Sequence, residues 1–201
     1  MRPERKPPRP DGQVLPASFF ARDTNVVARD LLDKVLVREL DGKVLWGRLV
    51  EVEAYLGPDD LAAHSRGGRR TPRTEVMFGP PGHAYVYFTY GMHWCLNFVT
   101  REEGTPQAIL VRALEPGPGV GRCAGPGLLT RALGIDRALN GALLAPPDLY
   151  VVDDDAPRRR VFITPRVGVQ GTGRWENRLL RYVVDSPALS RPVRRRRLAA
   201  R

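Results

Sequence analysis

Glycine and proline punctuate this chain from end to end. There are 20 glycines and 19 prolines in 201 residues, too many for a helical bundle, because each interrupts a helix or raises its cost. Short strands, short helices and many turns are expected instead. A hydrophobic fraction of 42% still allows a sizeable core, and the length suits one domain with tails. No run approaches roughly 18 consecutive apolar residues, so no membrane-spanning helix is expected. The opening MRPERKPPRP lacks the apolar stretch of a secretory signal. Cys95 and Cys123 alone make no disulfide framework, and the expectation is reduced thiols in a cytoplasmic protein.

The net charge of +10 suggests a polyanionic partner. Residues 1–14 carry +2 and residues 191–201 carry +6, leaving only +2 for residues 15–190. The excess therefore sits in a Pro/Arg-rich arm (1–14) and a basic C-terminal arm (191–201), both predicted to be disordered, around a domain over 15–190. Such arms add salt-sensitive affinity for nucleic acid without specificity. A compositional preference for arginine reads equally well, since Lys6, Lys34 and Lys43 are the only lysines.

Asp23-Thr24-Asn25 offers N-cap chemistry to a short helix through Val26, Val27, Leu31 and Leu32. Residues 34–40 read as a strand, Asp41-Gly42 as a hairpin turn and residues 43–55 as a long return strand. Simple alternation places Val44, Trp46, Val50, Val52 and Ala54 on one face of it, with Glu51, Glu53 and Tyr55 on the other. A Gly- and Arg-rich loop over 64–73 follows. Residues 84–90 and 92–100 form a second hairpin candidate about Gly91. Residues 108–114 make a further strand, 128–133 a helix, and 149–152, 161–163 and 181–184 short strands. Strands mixed with short helices, without regular βαβ alternation, point to an α+β domain.

Several residues carry possible chemistry. Glu53, at the end of an otherwise apolar strand, suits a general base at the rim of a half-apolar pocket; a solvated strand end fits the same pattern. Tyr85 and Tyr87, with Tyr55 and His64, can sandwich a planar heterocycle or simply pack a sheet. Tyr90 precedes Gly91 at a hairpin tip with little core to enter, where an aromatic can wedge between stacked bases. Arg112 lies among Ile109, Leu110, Val111, Ala113 and Leu114 and needs an acceptor if buried; Glu51 and Glu53 are candidates, either for chemistry or as a structural ion pair. His64, His83 and His93 show no metal-ligand spacing, so no metal site and no cofactor are expected. Gly79-Pro80-Pro81-Gly82 lacks the Lys-Ser/Thr of a phosphate loop, and Ser65 lacks a nucleophile-elbow context.

Together the motifs carry a resemblance. Glu51-Val52-Glu53-Ala54-Tyr55-Leu56-Gly57-Pro58, Ala63-His64-Ser65-Arg66-Gly67-Gly68, Thr71-Pro72-Arg73, Tyr85-Val86-Tyr87, Tyr90-Gly91-Met92, Asn97, Arg112-Ala113-Leu114-Glu115-Pro116 and Arg166-Val167-Gly168-Val169 occur in this order. The chain resembles the alkyladenine (3-methyladenine, methylpurine) DNA glycosylase family over residues 15–190. The resemblance implies a compact single domain with a curved, mostly antiparallel sheet, short helices and a protruding β-hairpin. It implies double-stranded DNA containing damaged purines as partner, no membrane, and a monomer, nucleoid-associated if bacterial. Glu53 would activate the attacking water, held also by Arg112 and the main-chain carbonyl of Val167. Tyr55, His64 and Tyr87 would enclose the flipped base, and Asn97 would obstruct the 2-amino group of guanine. Tyr90 would fill the gap in the duplex, with Met92, Arg66, Arg69 and Arg73 as further DNA contacts. With Lys34 and Lys43 away from the motifs, a monofunctional enzyme without a Schiff-base amine is expected.

Departures from the family pattern are a longer 101–106 segment and the runs Asp153-Asp154-Asp155 and Arg158-Arg159-Arg160, to which the sequence gives no role. The competing readings are a damage-recognising binder that does not cut and an RNA-binding protein using its basic arms. Glu53 with Arg112 favours the enzyme over the first, and the second lacks any RRM or KH signature.

Overall fold

The computed structural model describes residues 10–193. The expected disorder of both arms therefore falls largely outside the described residues. In chain order the elements are β1 (Gln13–Val14), α1 (Ala17–Phe20), α2 (Thr24–Leu31), β2 (Val35–Leu40), β3 (Lys43–Tyr55), β4 (Ala84–Thr89), β5 (His93–Thr100), β6 (Gln107–Pro116), α3 (Pro126–Ala132), β7 (Leu149–Asp153), β8 (Phe162–Pro165) and β9 (Leu179–Val183). Gln13 and Val14, placed in the arm by composition, pair with β7.

The strands form one open sheet in the order β1-β7-β2-β3-β6-β5-β4, with β9 on β3 and β8 on β9, and every pairing is antiparallel. This is the expected α+β domain. The Asp41-Gly42 turn closes the first hairpin with both residues at positive φ, 49° and 73°, the backbone an Asp-Gly pair favours. The Asp23 carboxylate accepts from the amides of Asn25 and Val26 at 2.9 and 3.3 Å, capping α2. The free edge of β4 is covered by the 140–144 segment: Ala84 N donates to Ala142 O and Gly141 N to Ala84 O, both at 2.8 Å.

β3 is the spine. Its first half pairs with β2 and its last residues with β9, while its other edge runs along β6. Simple alternation fails along it. Leu49 faces Leu114, Glu51 faces Ala113 and Val52 faces Val111. Val50 therefore has no opposite number on β6, and Arg112 has none on β3. A bulge on one strand is cancelled by a bulge on the other. The first bulge inverts the faces. Val44 and Trp46 join Val35, Val37, Tyr150 and Val152 in a small cluster, whereas Val50, Val52 and Ala54 join Leu49 in the main core. Strict alternation would keep all five of these residues on one face.

That main core lies under the helices, with Phe20, Val27, Leu31, Phe98, Ile109 and Leu129 fully buried. The opposite face of the sheet near β4–β6 carries a smaller cluster of Met77, Tyr85, Val99 and Ala108.

The charge runs acquire structural roles. Lys34 pairs with Asp153, and Arg48 grips Asp154 through two contacts of 3.0 and 2.6 Å. Arg159 spans Asp33 at 2.7 Å and Glu115 at 2.6 Å, tying the 153–160 segment to the turn before β2 and to β6. Asp33 is 5% exposed, so losing its guanidinium partner leaves a nearly buried carboxylate short of donors. Arg159→Ala is expected to lower stability by about 2 kcal/mol, measured by urea unfolding; a loss indistinguishable from zero would show that the bridge contributes nothing.

Candidate active site

A cavity of about 450 Å³ opens on the sheet face opposite the main core, within the range of small-molecule sites. Its walls include Tyr55 from β3, Tyr85 and Tyr87 from β4, Cys95 and Asn97 from β5, Arg112 from β6, His64 from the loop after β3, and Val167 from the loop after β8. Period-two alternation explains the convergence: Tyr85 pairs with Asn97 and Tyr87 with Cys95, so all four point to one face.

Glu53 is fully buried, not at a solvated strand end. Its carboxylate does not line the cavity; it lies directly beneath, and its three hydrogen-bond partners are themselves wall residues. Val167 N donates to Oε1 at 2.7 Å, while Tyr55 Oη and Arg112 Nη1 donate to Oε2 at 3.1 and 3.3 Å. The contact with position 167 is thus made by the amide N–H. Burial raises the Glu53 pKa above the ordinary 4.5, against the opposing pull of Arg112 and the Val167 amide.

Glu51, also fully buried, has the richer set of partners. Arg112 Nε and Arg181 Nε donate to its Oε1 at 2.9 and 2.8 Å, Ser190 Oγ to the same oxygen at 2.6 Å, and Ser190 N to Oε2 at 2.7 Å. Burial pushes its pKa up, but Arg181, Ser190 and Arg112 outweigh burial, and the net shift is downward.

The aromatic walls are braced from several sides. His64 Nδ1 lies 2.9 Å from Tyr85 Oη, and its ring meets Tyr87 edge-on at 4.5 Å. Burial, then Arg73 and Arg66, lower the His64 pKa to about 4, so the ring is neutral at physiological pH. Asn97 Nδ2 donates to Tyr85 O at 3.0 Å, which fixes the amide. The Arg166 guanidinium sits 4.6 Å over Tyr55 and grips the buried Asp60 at 2.6 and 2.8 Å. Asp60 in turn accepts from Leu56 N and Ala62 N, each at 3.0 Å, and so shapes the loop that delivers His64.

At the cavity rim, Tyr90 and Met92 occupy the tip of the β4–β5 hairpin, 84% and 67% exposed. The tip is a three-residue turn with Tyr90 at φ 51° and Gly91 at φ 65°; neither Tyr90 nor Met92 belongs to the strands the sequence assigned them to. Arg66 lines the mouth and Arg69 is exposed nearby. Arg73 is exposed too but lies 5.0 Å over the Tyr87 ring. None of residues 101–106 lines the cavity; Gly104 N bonds Phe78 O at 2.9 Å, and Ser65 Oγ bonds Pro106 O at 2.9 Å. Sequence reasoning grouped Tyr85 with His64 but not through their hydrogen bond, and it missed Arg166 with Asp60, and Ser190 and Arg181 on Glu51. It also missed His93 and Gly127, which face each other across the rim so closely that a Cβ at Gly127 would lie 2.7 Å from the imidazole. Among the described residues, no group of three or more His, Cys, Asp and Glu side chains is placed to hold a metal ion.

A profile of the family described as methylpurine-DNA glycosylase (MPG) matches residues 18–188. The chain belongs to the methylpurine-DNA glycosylase family. Curated relatives bear the name "Putative 3-methyladenine DNA glycosylase". One, from Anaeromyxobacter dehalogenans strain 2CP-1, is 52% identical over 182 residues, covering 89% of this chain and 86% of that protein. Another, from Legionella pneumophila strain Corby, is 49% identical over 182 residues, covering 88% and 98%. A third, from Desulfitobacterium hafniense strain Y51, is 47% identical over 172 residues, covering 75% and 85%. As a member of that family the protein is a monofunctional DNA glycosylase. Of the described lysines, Lys34 is committed to Asp153 and Lys43 begins β3 at the first hairpin.

The two glutamates of this glycosylase affect stability in opposite pH directions. With its folded pKa lowered, Glu51 stabilises the fold above the ordinary 4.5 and loses that contribution as pH falls through the lowered value. With its folded pKa raised, Glu53 stabilises below 4.5 and loses that contribution as pH rises through the raised value. Above that raised value its ionised form therefore costs stability. Glu53→Gln is expected to unfold at or above the wild-type temperature near pH 8, with the difference moving in favour of wild type as pH falls toward about 5. Calorimetry across that range checks it, and a variant that melts lower near pH 8 and keeps the same offset throughout would contradict it.

Proposed function

We propose that the protein flips alkylated or deaminated purines of the 3-methyladenine, hypoxanthine and ethenoadenine type out of duplex DNA. It then hydrolyses the N-glycosidic bond with a Glu53-activated water, leaving an abasic site. The observation that carries this is the buried Glu53 carboxylate beneath an aromatic cavity, held by Arg112, Tyr55 and the Val167 amide. The raised Glu53 pKa suits a base that must take a proton near neutral pH. Water entering between Arg112 and Val167 gives a proton to Glu53 as its oxygen bonds to the sugar C1′, and the C1′–N bond breaks with its electron pair on the purine. A base already cationic from alkylation leaves as a neutral molecule, whereas hypoxanthine takes up a proton from solvent water as it departs. Tyr55, Tyr87 and neutral His64 stack on the flipped ring, favouring electron-poor purines. Asn97, whose amide is fixed on Tyr85 O, obstructs the 2-amino group of guanine. Flipping costs least for bases that pair badly, so selection begins before chemistry. Tyr90, with Met92 beside it, fills the vacated stack, and Arg66, Arg69 and Arg73 contact the DNA backbone. On this reading the protein acts as a monomer on double-stranded DNA.

Duplex oligonucleotides carrying 1,N6-ethenoadenine, hypoxanthine or 3-methyladenine, followed by hot alkali, test the reading. Wild-type protein is expected to release the base, and Glu53→Gln to bind the duplex but release it about 10²–10⁴-fold more slowly. Binding without release by the wild type would instead establish a recognition module. Tyr90→Ala is expected to weaken lesion-duplex binding by about 1–3 kcal/mol while slowing an already flipped base less. Stopped-flow fluorescence of ethenoadenine separates the two steps, and an effect confined to the chemical step would remove the wedge role.

A further inference from the structure

Arg112 reaches the catalytic carboxylate with one nitrogen, Nη1, at 3.3 Å. Its other two nitrogens are bound on the far side: Nε to Glu51 Oε1 at 2.9 Å and Nη2 to Ser190 Oγ at 3.2 Å. A guanidinium is planar, so fixing two of its nitrogens fixes where the third points. Both anchors depend on the segment that follows β9. Ser190 donates its amide and its hydroxyl to Glu51, and the next residue's carbonyl, Arg191 O, accepts from Arg181 Nη2 at 2.6 Å. Ala188 and Leu189 pack against the main core just before it. The strap thus lies across the underside of the site at the point where the basic C-terminal arm begins.

We propose that Ser190 is a positioning residue for base excision: with Glu51, it orients the Arg112 guanidinium so that Nη1 meets Glu53, and the C-terminal strap thereby completes the active site from outside the cavity. The inference rests on the role given to Glu53 and Arg112 under Proposed function. Ser190 does not line the cavity and touches neither Glu53 nor any wall residue except Arg112. Its influence on the reaction runs through Arg112 and Glu51. The charged and titratable groups around Glu53 are Glu51 and Tyr55 from its own strand, Arg112 from β6 and Arg181 from β9, with the Val167 amide closing the shell. Of these, Arg112 is the one whose other nitrogens are held by Glu51 and Ser190. Loosening Arg112 weakens stabilisation of the Glu53 anion, so the carboxylate holds its proton to higher pH.

Single-turnover excision from a duplex with one hypoxanthine, with enzyme in excess and followed across pH, separates chemistry from binding. Ser190→Ala keeps the backbone amide and the Ala188 and Leu189 packing. It is expected to slow excision about tenfold near neutral pH, the consequence of losing the hydroxyl that accepts from Arg112 Nη2 and donates to Glu51. The acid limb of its rate profile is expected to shift to higher pH, with lesion-duplex affinity within about twofold of wild type. Ser190→Thr retains the hydroxyl and is expected to restore rate and limb. An unchanged rate, a fall with the limb unmoved, or a loss explained by weaker binding would each overturn the proposal. Wild-type protein that binds but releases no base would overturn the functional reading and this inference with it; an active wild type with an unaffected Ser190→Ala variant would overturn this inference alone.

Discussion

Two carboxylates two residues apart on one buried strand require compensation, and the rest of the site follows from how it is provided. Glu51 and Glu53 are both inaccessible to solvent. Like charges so placed would protonate if left to themselves. Arg181 on β9 and Arg112 on β6 bring two positive charges from the strands on either side of β3, and the cluster is balanced within the sheet. The antiparallel packing of β6, β3 and β9 is therefore an electrostatic arrangement as much as a hydrogen-bonded ladder. Neither arginine can be lost without leaving charge buried and unpaired.

The paired bulges make this geometry possible. A regular β3–β6 ladder would place Arg112 opposite a β3 residue in strict alternation. By leaving Val50 and Arg112 unmatched, the two strands shift register for two residues and recover it. The same device returns Val50, Val52 and Ala54 to the main core, so that Glu51, Glu53 and Tyr55 are delivered to the cavity side. Bulges of this kind re-aim side chains at functional positions.

Much of the fold was legible because its signals are local. The Asp23 cap, the Asp41-Gly42 turn and the Tyr85/Tyr87 alternation each depend on a few neighbouring residues and stand where the pattern placed them. The β3 bulge was not legible, since Leu49-Val50 is as good a strand dipeptide as any other and only the β6 partner shows the slip. The same holds for the charge runs over 153–160, whose partners Asp33, Lys34, Arg48 and Glu115 are distant in sequence. In the site, Arg112 was suspect as a charge within an apolar strand, and both of its suggested acceptors are in contact with it. Asp60, Arg166 and Ser190 gave no such sign, because a loop Asp, a loop Arg and a Ser near a terminus are unremarkable until the chain folds them together.

The two glutamates also show that identity and burial do not by themselves assign a role. Same residue type, same strand, same face and same inaccessibility leave them alike until their donors are counted. Glu51 receives two guanidinium nitrogens, a hydroxyl and an amide, all within 2.9 Å, and its anion is stabilised beyond the cost of burial. Glu53 receives a single amide at 2.7 Å and two longer contacts, and burial prevails. Environments that drive a pair of carboxylates apart are how one fold divides structural and proton-accepting work. On the proposed reading the carboxylate with fewer donors keeps the basicity that a proton acceptor needs, and its three partners are the groups that face the cavity. The one with more donors is sealed beneath the C-terminal strap, where it serves to hold the arginine that both of them share.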